Sequence, residues 1–217
     1  MKSFIYKLIA LSILTFPFAS YAGEDFCAGL PTLSQNIILS IENKADHVQE
    51  TRQKSKDFFV TKRSEISNME YSNEAVKKVM SQNVAEPRNF REKISRYTFE
   101  KHLNNMAQTR HSDVLSAYEG YYNELESLIE ERTEIIESGL ESAMALAKAE
   151  SAESLDLCNK GNVELAKENF TMAVAGIKQN LKDTVQKAQE IKTKIMEAKT
   201  ERDLKIKTAD EKFDSLN

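Results

Sequence analysis

Three histidines, two cysteines and a dense population of carboxylates are the residues of this chain that could support chemistry. A zinc site needs ligands that converge, commonly a pair spaced i, i+4 on one helix. His47, His102 and His111 offer no such pair. His102 and His111 stand nine positions apart, which on a helix is two and a half turns and sets them on opposite sides. No metal or cofactor site is predicted. Nucleophilic catalysis would need an activated serine or thiolate, yet the chain has no Gly-x-Ser-x-Gly elbow. The acids Glu130, Glu131, Glu134 and Glu137 alternate with other polar residues along an amphipathic stretch, which reads as a solvated helix face rather than a cleft. Neither a Gly-rich phosphate loop nor a dinucleotide fingerprint occurs. The expectation is a non-enzymatic protein.

The N-terminus carries an address rather than a fold. Lys2 and Lys7 precede an apolar run from Leu8 to Phe18, and Ser20-Tyr21-Ala22 places small residues three and one before a cut. Residues 1–22 are therefore read as a cleaved signal peptide, with Gly23 opening the mature chain. The predicted location is the periplasm or the extracellular space. In such a compartment Cys27 and Cys158 read first as a disulfide. Two free thiols, or a bond between chains, are the alternatives. No later segment is apolar enough to cross a bilayer, so no stable membrane insertion is expected after cleavage. The formal charge of −4 falls to −6 once Lys2 and Lys7 leave, which argues against a nucleic-acid partner.

The elements that would position these residues are helices. Charged residues make up 29% of the chain, with six glycines, three prolines and no tryptophan. So few breakers among so many Lys, Glu and Ala residues favour long helices. The fold class is predicted as all-α, an elongated antiparallel helical bundle with long coiled-coil-like helices, forming a single domain over residues 23–217.

Thr32-Leu33-Ser34-Gln35 matches a capping box after Pro31 and is expected to start the first helix. Its stripe is Ile38, Ile41, Ala45, Val48, Phe59, Ile66 and Met69, with Arg52, Ser55 and Lys62 between. Residues 72–111 read as irregular shorter helices, one capped by Ser72 and ending before Pro87, the next running from about Arg88 to Thr109. Ser112-Asp113 is expected to open a third helix with the stripe Leu115, Tyr118, Tyr122, Leu125, Ile129, Arg132 and Ile136. The small residues from Ala143 to Ala152 would let another helix approach closely, and Gly161 suits a C-cap. The longest helix is predicted at about 162–214, on the stripe Val163, Ala166, Phe170, Val174, Ile177, Leu181, Thr184, Ala188, Ile191, Ile195 and Ala198. Its extra step of four between Phe170 and Val174 reads as a stutter. A seam of this kind packs within one chain or joins copies into a homo-oligomer.

Residues 72–111 also hold most of the Arg-aromatic mixture of the mature chain. Arg88, Phe90, Arg91, Arg96, Tyr97 and Phe99 are the candidate partner-binding residues, the alternative being two short helices packed on the bundle. The leading functional expectation is an exported protein-interaction protein acting through helix faces, as an envelope or secretion-assembly component, an adaptor or a periplasmic chaperone. Long helical arms resemble the design of periplasmic holding chaperones, although those are typically basic where this chain is acidic. A secreted helical toxin or pore-former is the second expectation, with Phe170 to Ile177 as its only candidate membrane-active stretch.

Overall fold

The computed structural model describes residues 23–83 and 85–215, and the chain is an all-α helical bundle. The predicted signal peptide lies outside the described residues. Four helices are present among the described residues: α1 (Gly23–Ser67), α2 (Glu74–Asn83), α3 (Phe90–Asn159) and α4 (Val163–Asp214). No described helix is long and apolar enough to cross a membrane.

The first helix begins upstream of the expected cap. Pro31 lies inside α1, and Thr32 is an interior residue rather than an N-cap. A proline in a helix interior costs about 3 kcal/mol. Continuing the helix upstream buries Phe26 and Leu30, eight and four positions before Ser34, and each such burial contributes about 1.5–3 kcal/mol. Those two side chains offset the missing hydrogen bond.

The expected break at Ser112 is also absent. Residues 90–159 form one helix of 70 residues, so α3 and not the 52-residue α4 is the longest. Only α2 is short, and the region expected to hold a second short helix forms the first turns of α3. Ser112-Asp113 has the composition of a cap, but the buried positions Leu103, Ala107 and Ala117 continue across it on one side. A cap contributes roughly 1 kcal/mol, too little to interrupt a helix packed on both sides of it.

Helix ends follow local chemistry where nothing opposes it. Gly161 adopts φ +77° after α3, a left-handed conformation that suits glycine. Its N–H donates to the Cys158 carbonyl (3.0 Å), and the Asn162 N–H donates to the Leu157 carbonyl (2.9 Å). These are the two bonds of a Schellman motif. The Asn162 carbonyl then accepts from the Ala166 N–H (3.0 Å), opening α4. Ser72 Oγ accepts the Glu74 N–H (3.3 Å) at the start of α2, as its position suggested.

Packing gathers the chain into two compact units. The first comprises residues up to Lys56 together with Leu128–Thr193. Its core takes Phe26, Leu30, Ile37 and Ile41 from α1, Ile136, Leu140, Ala143 and Ala147 from α3, and Ala166, Phe170, Val174, Ile177, Leu181 and Ala188 from α4. The α4 stripe is thus buried within one chain, and Ala173 beside Val174 is buried too, where the stutter widens the packed face. Cys27 and Cys158 are bonded, with Cα atoms 5.7 Å apart, and close 131 residues of chain. At Gly139 a Cβ would stand 2.2 Å from Thr184 Oγ1, so α3 and α4 approach more closely there than any side chain on residue 139 would allow.

The second unit comprises Asp57–Ser127 and the chain from Lys194 onward. Val76, Val79 and Met80 of α2 pack with Leu103 and Ala107 of α3 and Phe213 of α4, flanked by Tyr71, Phe99 and Met106. A second cluster is aromatic. Tyr121 is the buried tyrosine, whereas Tyr118 and Tyr122, expected on the core stripe, are half-exposed. The buried face of α3 runs through Ala117, Tyr121 and Leu125, turned from the expected line, because α3 packs on neighbours to either side of it. Phe58 meets Phe59 and Tyr122 edge to face. The Arg202 guanidinium lies over Tyr121 (4.5 Å) and Tyr118 (5.5 Å) and is held by Asp203.

Candidate interaction surface

The Arg-aromatic segment is built on the first turns of α3, and its position is set by a cap. Asn89 Oδ1 accepts the Glu92 N–H (2.9 Å), while the Glu92 carboxylate accepts from the Arg88 N–H (2.6 Å) and from Asn89 Nδ2 (2.7 Å). The spacing Asn89-x-x-Glu92 is a capping-box pattern that marks this helix start in the sequence.

From that start, helical periodicity sorts the side chains onto two faces. Phe99, Leu103 and Met106 turn inward, with Leu103 buried against Val76, Val79, Met80 and Phe213. Phe90, Ile94 and Tyr97 occupy positions i, i+4 and i+7 and so share the opposite face. They are 77%, 52% and 67% exposed. Three large apolar side chains in a row are left in water by a helix whose other face is packed. Arg91, Lys93 and Lys101 are exposed beside them. Arg88 is exposed as well, at the head of the helix.

The six expected binding residues therefore divide. Phe90, Tyr97, Arg88 and Arg91 are exposed. Phe99 packs on the α2–α3 cluster, and half-buried Arg96 pairs with Glu86 (3.6 Å). Ile94 belongs to the exposed face but was not among the expected six; its i+4 spacing from Phe90 was the available signal. The cations concentrate here within an acidic chain. Residues 88–101 hold Arg88, Arg91, Lys93, Arg96 and Lys101 against Glu92 and Glu100.

Elsewhere the polar groups are engaged in holding helices together. Arg52 reaches from α1 to two α3 carboxylates, donating to both oxygens of Glu130 and of Glu137, with the Glu137 contacts at 3.2 Å. Gln49 adds a hydrogen bond to Glu137 (2.7 Å). Two of the four acids read as a solvated face thus form an inter-helix clamp. Arg110 bonds Asp210 (2.7 Å) and lies over the Phe213 ring, and Arg63 pairs with Glu126. His111 packs edge-on against Tyr71, and exposed His47 stands 3.9 Å from Glu50. Among the described residues no three His, Cys, Asp or Glu side chains gather where a metal ion would be held. In comparisons with known proteins, no family model, no curated protein and no solved structure matches this chain.

Proposed function

We propose that this is an exported protein-interaction protein that works through a helix face, as an adaptor or assembly component of the cell envelope or exterior. The observation that carries the reading is the Phe90–Ile94–Tyr97 stripe, exposed along a helix whose opposite face is packed. Anchors at i, i+4 and i+7 are the spacing by which an amphipathic helix enters a complementary surface. Aromatic and arginine side chains are also the types that dominate binding energy at protein interfaces. Export is supported by the basic, apolar and small-x-small order of residues 1–22, and an oxidising compartment by the Cys27–Cys158 bond.

The test is chemical crosslinking in the native host, followed by affinity purification and mass spectrometry. The expected result is one or two stoichiometric protein partners joined at residues 88–101. A broad spread of unfolded clients, or crosslinks confined to other surfaces, would overturn the docking role of this stripe.

A further inference from the structure

The same helix carries a second exposed ridge that matches the first in spacing and opposes it in size and charge. Ala145, Ala149 and Ala152 are exposed at i, i+4 and i+7 of α3, the same four-then-three spacing as Phe90, Ile94 and Tyr97. The helical face they share continues upstream to the exposed residues Glu134 and Glu141 and downstream to Asp156, with Glu153 at its edge and Lys148 as its cation. This acidity is not local. Between Glu119 and Asp156 the chain has eleven carboxylates against Arg132 and Lys148.

We infer that the partner of the Phe90–Ile94–Tyr97 stripe is a second copy of this chain, docked on its Ala145–Ala149–Ala152 ridge; this rests on the stripe being a protein-docking surface. Large side chains on one helix seat over small ones on another because short side chains let the backbones approach. Arg91, Lys93 and Lys101 beside the stripe then face the carboxylates beside the ridge. Stripe-to-stripe pairing is disfavoured, since it would bring those three cations against their own copies. The seam of α4 is not available for a second copy, because Phe170, Val174, Ile177 and Leu181 are buried within their own chain.

Each copy has one stripe and one ridge, so copies pair reciprocally as a two-fold dimer or link into a larger ring or an open row. A contact over about three helical turns is smaller than a standard interface of roughly 800 Å² per partner, so association is weak and concentration-dependent. Its electrostatic part weakens as salt shortens the screening length to about 10 Å near 0.1 M.

Sedimentation of the disulfide-bonded protein tests this directly. The average mass rises with concentration at low salt and falls when salt is added. Phe90→Ser with Tyr97→Ser weakens association by about tenfold or more, as does Ala149→Arg alone. Both changes are at exposed positions, and unchanged helicity and melting temperature verify the fold. Pairing of stripe with ridge makes a sharper demand: at a concentration where each variant alone is monomeric, an equimolar mixture forms a one-to-one dimer, because one intact stripe and one intact ridge remain. A mixture that stays monomeric overturns the proposal, as does a stripe variant that still associates. In the native host, a photo-crosslinker at Tyr97 separates this inference from the reading beneath it. An adduct between two copies that maps to residues 141–156 supports both. An adduct with a different protein overturns self-association and leaves the docking surface standing. No adduct overturns both.

Discussion

The two units use the same three long helices but hold them by different means. In the unit around Ile136 and Phe170, small residues bring the helices together: Ala143 and Ala147 are buried, and Gly139 leaves no room for a Cβ beside Thr184. A covalent bond joins α1 to α3 there. In the unit around Tyr121 and Phe213, large rings fill the space between helices, and cations close over them, Arg202 on Tyr121 and Arg110 on Phe213. Close approach maximises dispersion contacts and leaves little freedom to adjust. Ring-and-cation packing keeps a polar edge in contact with water and depends on charge. The first unit should therefore respond to volume and covalent closure, and the second to electrostatics.

The largest expected effect is on the covalent closure. Joining residues 131 apart removes about 5 kcal/mol of unfolded-state entropy in the chain-entropy model, with measured bridges commonly giving 2–5 kcal/mol. Cys27→Ala with Cys158→Ala should lower the urea midpoint accordingly. Amide exchange should rise mainly in residues up to Lys56 and in Leu128–Thr193. An equal rise around Leu103 and Phe213 would mean that the two units unfold as one, and the comparison would fail.

One substitution made in both units should change sign between them. Gly139→Ala sets a methyl 2.2 Å from Thr184 Oγ1, 2.5 Å from its Cγ2 and 2.8 Å from its Cβ. Overpacking of this kind costs about 1–3 kcal/mol, against a gain in helix propensity of about 1 kcal/mol. With three contacts under 3.0 Å the cost lies toward its upper figure, leaving a net loss of up to about 2 kcal/mol. Adding Thr184→Ala recovers part of it, since Oγ1 and Cγ2 leave but Cβ stays. Gly120→Ala meets nothing within 4 Å on the exposed side of α3. It should stabilise by up to about 1 kcal/mol, through propensity and a less flexible unfolded chain. Thermal unfolding of the two single variants decides the matter, and two shifts of the same sign would remove the contrast.

The same contrast explains what was legible in the sequence. The aliphatic unit declares itself through periodicity: the α4 stripe from Ala166 to Ile191, the small residues after Gly139 and the Gly161 cap all lie where their spacing puts them. Cys27 and Cys158 could be paired from their even number and the compartment expected from residues 1–22. The aromatic unit was misread, because Tyr118, Tyr121 and Tyr122 are equally apolar in a one-dimensional pattern. Which of them turns inward is set by the helices packed against α3, far away in the sequence. The Arg52 clamp on Glu130 and Glu137 is hidden for the same reason, and Pro31 and Ser112 misled because tertiary burial outweighed a local stop or start signal. At the interaction surface, composition pointed to residues 88–99 but could not separate Phe90 and Tyr97 from Phe99. That division is made by α2 and Phe213, which cover one face and leave the other.

The smallest effect concerns the charge dependence of the ring-packed unit. Burial raises the Tyr121 phenol above its ordinary value of about 10, opposed by the Arg202 guanidinium over its ring and reinforced by Tyr122 and Asp203. A folded-state pKa above the unfolded one means that the native state holds this proton more tightly. The associated stability is complete below about pH 10 and is lost as pH rises through the higher folded value. Tyr121→Phe should flatten the alkaline fall in stability while leaving neutral stability nearly unchanged, because the ring and its contact with Arg202 remain. Arg202→Gln acts in the other direction on the phenol: with the cation gone, the tyrosinate signal assigned to residue 121 appears at still higher pH. Ultraviolet titration of the wild type and both variants measures this. If Tyr121→Phe leaves the highest-pH tyrosinate step in place, the phenol is exposed to water, and the second unit is held by its apolar rings alone.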